Sequence, residues 1–179
     1  MQKYRSKVEY DGRHYVGWQR QDNGPSIQEA VEEAILNFCG EQVEVIAAGR
    51  TDSGVHALGM TTHFTLLNNN HDPATVRKAI NFHLGSQPIK IIETEIVPDS
   101  FHARFSAIER RYLYRILNRQ SPPTLDCGRV WHVPRKLDIA GMQEAAEILI
   151  GEHDFSSFRA KDCQAASPIK TPVSYTHLT

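Results

Sequence analysis

The chain has 179 residues and a mass of 20.3 kDa, enough for one ordinary domain or two small ones and too little for two large cores. Hydrophobic residues at 40%, charged residues at 23% and a formal net charge of −1 give the balance of a folded globular protein and exclude a disordered one. No run approaches the roughly 20 apolar residues that span a bilayer, and Met1-Gln2-Lys3-Tyr4-Arg5-Ser6-Lys7 lacks an apolar signal core, so a cytoplasmic protein with no membrane partner is expected.

The predicted elements begin with a strand over Tyr4 to Tyr10, with Tyr4, Ser6, Val8 and Tyr10 on one face and the turn-forming Asp11-Gly12 at its end. A helix follows. Ser26 is its N-cap, Glu29 stands where it can bond back to the Ser26 amide, and Ile27, Ala30, Val31, Ala34, Ile35 and Phe38 make one apolar stripe that Gly40 stops. Strands are expected over Val43 to Ala48 and Thr61 to Leu67, the latter closed by the polar run Asn68-Asn69-Asn70-His71. Asp72 caps a second helix with Pro73 in its first turn, and Val76, Ala79, Ile80 and Leu84 supply its apolar side. Ile89 to Val97 is the fourth strand.

This order is that of an α+β, ferredoxin-like split βαβ unit over residues 1–100, an antiparallel sheet with both helices on one face. The open face of such a sheet can take single-stranded RNA or a second unit of the same kind. A second, incomplete unit is expected over residues 101–179, with a strand from Arg110 to Leu117 and a helix from Ile139 to Ile150. About 25 residues beyond that helix are too few to supply its missing strands and helix.

Charge is divided along the chain. Between Arg104 and Lys136 eight basic residues face only Glu109 and Asp126, an excess that suits a phosphate backbone or, equally, a solvated face. The three cysteines, Cys39, Cys127 and Cys163, are far apart and suggest neither a disulfide framework nor a thiolate metal cluster. His56, His63, His83 and His102 form no pair with metal-ligand spacing, and no phosphate-loop pattern occurs, so no metal or nucleotide cofactor is expected.

Three segments can carry chemistry. Ala48-Gly49-Arg50-Thr51-Asp52-Ser53-Gly54-Val55-His56-Ala57 follows a predicted strand, with glycines at 49 and 54 permitting tight backbone paths. Arg50 beside Asp52 can keep the carboxylate ionised in a desolvated pocket, as a nucleophile or base requires; the plainer alternative is an aspartate that caps a turn. Asp-Ser-Gly is also the triplet of aspartic proteases, which need two carboxylates sharing a proton, and this chain has one copy beside a cationic arginine.

The second segment, Tyr10 to Gln21, interleaves Tyr15 and Trp18 with Arg13, His14, Gln19, Arg20 and Gln21, a mixture that can stack on bases and bond to phosphates. A core Trp18 under a surface hairpin is its alternative. The third, Phe101 to Arg115, offers His102, Arg104, Arg110 and Arg111, with Tyr112 and Tyr114 on one face of the predicted strand as a stacking platform or as core packing.

At Gly49-Arg50-Thr51-Asp52-Ser53-Gly54-Val55-His56-Ala57 the sequence closely resembles the tRNA pseudouridine synthase A family. The likeness extends to Glu9 to Gly12, Tyr15 to Gln21, Ser26 to Glu29, Phe101 to Ser106, Arg110 to Tyr114 and Gly151 to Arg159, in the same order. It implies that Asp52 is the essential aspartate, that Arg50 takes the target base's place in the RNA stem and contacts Asp52, and that Tyr112 stacks on the flipped uracil. It also implies a tRNA anticodon-arm substrate, no cofactor, a homodimer, and two ferredoxin-like units around a cleft. The candidate RNA contacts are Arg13, Tyr15, Trp18, Gln19, Arg20, His56, His102, Arg104, Arg110 and Arg111. The likeness fades after Thr171, and the family's later segment, with a long helix lined by His, Met, Val and Arg, is not in this sequence, which implies a family member shortened at its C-terminus and ending in a foreign tail. A noncatalytic RNA-binding protein on the same sheet is the alternative function.

Overall fold

A computed structural model describes residues 1–68, 71–159 and 167–175. The expected end of the strand run at Asn69-Asn70, Cys163 and the tail from Thr176 to Thr179 lie outside the described residues. The chain divides into two compact units, Met1–Tyr112 and Leu113–Thr179. The described residues form an α+β protein with three sheets and three α-helices.

In the first unit β1 (Gln2–Tyr10), α1 (Ile27–Cys39), β2 (Ile46–Ala47), β3 (Ala57–Leu66), α2 (Pro73–Leu84) and β4 (Ile89–Ile96) follow in sequence. The sheet order is β2-β3-β1-β4, with every pairing antiparallel. The face of β1 carrying Tyr4, Ser6, Val8 and Tyr10 is buried, as its alternation requires, and joins Phe64 and Leu66 of β3 and Ile89 and Ile91 of β4. Ile27, Val31, Ala34 and Ile35 of α1 and Val76, Ile80 and Leu84 of α2 cover that layer. The opposite face carries ion pairs: Arg5 with Glu95 and Lys7 with Glu93, both at 2.8 Å.

The helix signals work through named atoms. Ser26 Oγ accepts the Glu29 amide at 3.2 Å, while the Glu29 carboxylate lies 3.5 Å from Arg20. Gly40 ends α1 at φ +74 and donates to the Leu36 carbonyl at 2.7 Å. Asp72 Oδ1 accepts the amides of Ala74 and Thr75, each at 3.0 Å. Two bounds differ from expectation. β2 is two residues long instead of Val43 to Ala48, because the Val45 amide donates to the Glu32 carboxylate at 2.9 Å and not to a neighbouring strand. β3 begins four residues early, at Ala57, pairing with Tyr10 across an irregularity in the ladder.

The second unit contains β5 (Ile116–Asn118) paired in parallel with β6 (Trp131–Val133), α3 (Ile139–Ile148), and β7 (His153–Asp154) paired antiparallel with β8 (Ile169–Lys170). The expected strand from Arg110 to Leu117 is regular only from Ile116, with the Arg115 carbonyl accepting the Trp131 amide at 2.8 Å at its start, while Arg110 is turned to the Ala48 and Arg104 carbonyls. α3 starts where expected, with Asp138 Oδ1 accepting the Gly141 amide at 3.0 Å, and ends two residues early. Among the described residues of this unit none is buried, and Trp131, Ile148 and Phe158 are 70%, 73% and 78% exposed.

Candidate active site

The two motifs around Trp18 and Asp52 are one structure. The Trp18 amide donates to the Thr51 carbonyl at 3.0 Å, and the Gly54 amide and Ser53 hydroxyl both donate to the Tyr15 carbonyl, at 3.4 and 3.2 Å. Below them the Tyr10 hydroxyl meets Thr51 Oγ1 at 2.8 Å, and burial pushes that phenol's pKa up, so it remains neutral. The approach requires glycine. A Cβ on Gly17, which sits at φ +124, would stand 2.6 Å from the Thr51 carbonyl oxygen, and one on Gly12 would stand 2.0 Å from that of Val55. Gly54, expected to permit a tight path, turns left-handed at φ +79, but the close approach itself is made by Gly12, expected only as a turn residue, and by Gly17, which carries no local signal.

The segment is fixed on its other side as well. Ile27 and Gln28, at the start of α1, donate their amides to the carbonyls of Gly17 and Trp18 at 3.1 and 2.9 Å. The residues flanking Asp52 are therefore tied through one layer to the first turn of a buried helix. Asp52 itself is exposed, and so is Arg50. Among the described residues no desolvated pocket closes around them: the loop is held through Thr51 and Ser53, and the side chain between them is exposed.

His56 Nδ1 lies 3.1 Å from Asp11 Oδ1 and 3.3 Å from the Gly12 amide. The Gly12 amide donates to that nitrogen, which in this tautomer is an acceptor, and the Asp11 contact is one of proximity. Asp11 also takes Arg13 Nε and Nη2 at 2.9 and 2.7 Å, and those hydrogen bonds hold its carboxyl well below the usual carboxylate range. Arg13 and His56, read as RNA contacts, thus both lie beside a second carboxylate close to the Asp52 loop.

Tyr15 and Trp18 are core residues, 9% and 2% exposed, with the Trp18 ring 5.9 Å from that of Tyr10. Their rings are not open for base stacking, because they support the Asp52 loop from beneath. Gln19 and Arg20 are exposed; Arg20 lies near Glu29 and Glu32, at 3.5 and 3.7 Å.

Residues 98–106 form a strap over the first sheet. The His102 ring accepts the Arg104 and Phe105 amides at 3.2 and 3.4 Å and lies 4.3 Å from the Phe105 ring, so it is committed to its own turn. Arg110 reaches the root of the Asp52 loop, donating from Nε and Nη2 to the Ala48 carbonyl at 3.2 and 2.9 Å, and from Nη2 to the Arg104 carbonyl at 3.2 Å. Arg111 pairs with Glu109 at 2.9 Å. Tyr112, two residues beyond that arginine anchor, is 77% exposed, and Arg104 is exposed beside Phe105. Among the described residues no group of His, Cys, Asp and Glu could hold a metal ion, and no helix is long and apolar enough to cross a membrane.

An outward aspartate on a loop clamped between a strand end and a helix start can be compared with known proteins. Residues 7–106, which contain the whole clamp, match the family model for tRNA pseudouridine synthase. The tRNA pseudouridine synthase A of Rhodospirillum rubrum is 60% identical over 171 residues, covering 96% of this chain and 61% of the relative. Those of Rhodospirillum centenum and Parvibaculum lavamentivorans are 56% and 50% identical, again over 96% of this chain and over 69% of each relative. The chain therefore spans between about three fifths and seven tenths of the length of these relatives. A match that takes in both halves of the clamp, at these identities and nearly from end to end, means that the chain belongs to the tRNA pseudouridine synthase family.

Proposed function

We propose that this chain carries the Asp52-bearing part of an isomerase that converts uridine to pseudouridine in the anticodon arm of tRNA. Asp52 is the catalytic carboxylate, Arg50 fills the stack left by the displaced base and meets that carboxylate, and Tyr112 stacks on the flipped uracil. One observation carries this reading: the backbone on both sides of Asp52 is clamped while its carboxylate stays outward and exposed, on a loop whose root is held by an arginine two residues from Tyr112.

The reaction breaks the bond between uracil N1 and C1′ and joins C1′ to C5, with a proton lost from C5 and one gained at N1. Extruding the nucleotide costs about a few kcal/mol, which Arg50 in the gap and Tyr112 against the base offset. Asp52 then attacks the sugar or the base, or takes the C2′ proton to give a glycal-like intermediate. Both routes need an unprotonated oxygen within about 3 Å of its target, and a rigid backbone supplies that placement. No cofactor takes part. Arg13, Arg104 and Arg111 serve the phosphate backbone, with Gln19, Arg20 and His56 beside them.

The sheet order β2-β3-β1-β4 supports a ferredoxin-like domain over residues 1–100, followed by an incomplete one over 101–179 whose first dozen residues lie back against the first sheet. The whole enzyme is cytoplasmic and a homodimer. The second reading, a noncatalytic RNA-binding protein, is favoured by the second unit's lack of any buried residue among those described. The two separate on incubating unmodified tRNA with this chain, and with this chain extended by the C-terminal third of the R. rubrum relative. Pseudouridine in the anticodon arm from the extended protein supports catalysis. Binding without conversion by either protein supports the second reading, and neither binding nor conversion overturns both.

A further inference from the structure

The Asp52 loop has a remote anchor in a buried histidine that the chemistry above does not use. His63 lies on β3, opposite Arg5 of β1 and Ile46 of β2, and is 5% exposed. Its Nδ1 accepts the Ala103 amide at 3.1 Å, and Ala103 is itself 2% exposed. An accepting Nδ1 in a neutral imidazole leaves the proton on Nε2. The strap is also held by Lys3 Nζ, which donates to the carbonyls of Asp99 and Phe101. From Ala103 the connection is short. The next carbonyl, that of Arg104, accepts Arg110 Nη2, and the same guanidinium grips the Ala48 carbonyl, where the Asp52 loop begins.

We propose that His63 is a positioning residue for the Asp52 site: its neutral ring fastens the 98–106 strap to the sheet, and the strap, through Arg110, fixes the root of the loop that carries Arg50 and Asp52. This deepens the isomerase reading and rests on it for its kinetic consequence. The charged groups around the ring favour the neutral state. Lys3 and Arg5 come from β1, the latter already paired with Glu95 of β4; Ile46 brings no charge from β2; and the strap contributes His102, with its ring 4.8 Å away. Burial, with the charges of His102 and Lys3 added, brings the His63 pKa down to about 4. Protonation would turn Nδ1 from acceptor to donor against an N–H that also donates, breaking the contact.

Three forms of this chain test the proposal. His63→Asn keeps an acceptor near the Nδ1 position and does not titrate; His63→Phe keeps a ring and loses the acceptor. Hydrogen exchange is followed at the Ala103 amide, at Arg110 Nε–H and at the Val55 amide, which closes the Asp52 turn by donating to the Asp52 carbonyl at 3.2 Å. Amides of β1 serve as the control for global opening. Near pH 7 the wild type and the Asn form should protect all three sites, and the Phe form should lose all three while β1 stays protected. As pH falls through about 4 the wild type alone should change from protected to open. In a tRNA isomerisation assay the Phe form should lose at least about tenfold in kcat, because small misplacements near reacting atoms are costly, with KM nearly unchanged and the Asn form close to wild type. Val55 or Arg110 protection that survives in the Phe form overturns the proposal, as does failure of Asn to restore it. The kinetic comparison is made in the extended protein; an extended wild type that makes no pseudouridine counts against the isomerase reading, while the exchange results still decide the role of His63.

Discussion

Each contact beneath Asp52 is a single group with a definite chemical task, so single substitutions have separable consequences. Gly17→Ala puts a methyl 2.6 Å from a backbone oxygen at a φ that L-residues rarely adopt. The expected loss is about 2–4 kcal/mol in urea unfolding, because two backbones and not a flexible side chain must move. Tyr10→Phe removes one neutral hydrogen bond and leaves Thr51 Oγ1 without it, at a cost of about 1 kcal/mol and with little change in fold. Tyr112 makes the opposite case. It is exposed and supports no core, so Tyr112→Phe should keep stacking and most of the activity, whereas Tyr112→Ala should lose activity with stability unchanged. Equal tritium release from all three proteins would remove Tyr112 from the mechanism.

At the scale of elements, a cap and a histidine give two further tests. Ser26→Ala should cost about 1 kcal/mol and loosen the start of α1, the turn to which the Asp52 clamp is tied. A histidine whose folded pKa lies below its ordinary value destabilises the folded state wherever the unfolded chain takes up the proton and the folded one does not. For His63 that window runs from about 6.5 down to about 4, so this residue's contribution makes the first unit less stable as pH falls through it, an effect absent in His63→Asn and measurable by urea titration at stepped pH. The helices were legible because their signals are local: Ser26, Gly40, Asp72 and Pro73 act within a turn of themselves, and the apolar stripes match the buried faces. β1 was legible because alternation at Tyr4, Ser6, Val8 and Tyr10 needs only one buried face. Long-range choices were not. Nothing local says that the Val45 amide goes to Glu32, that Gly12 and Gly17 make room for a loop 40 residues away, or that His63 accepts from Ala103. The expected strand at Arg110 failed for the same reason, since a strand is defined by its neighbour.

For the whole molecule, the two units differ in kind. The first has a continuous core shared by four strands and two helices, and the second has no buried residue among those described. Stability follows burial, so limited trypsin digestion should cut first at Arg115, Arg119, Arg129 and Arg135 and leave a fragment near residues 1–112. Cutting at equal rates in both units would contradict that division. The same contrast separates what the family assignment means for each part: the matched residues 7–106 hold the Asp52 clamp complete, whereas the longer relatives contain length that this chain does not. The central claim concerns one carboxylate, and it is tested most directly by mapping pseudouridine in unmodified tRNA exposed to the extended protein and to its Asp52→Asn form. The account predicts anticodon-arm pseudouridine from the first and none from the second, with tRNA affinity retained. Product from the Asp52→Asn protein at a rate near that of its parent would contradict it.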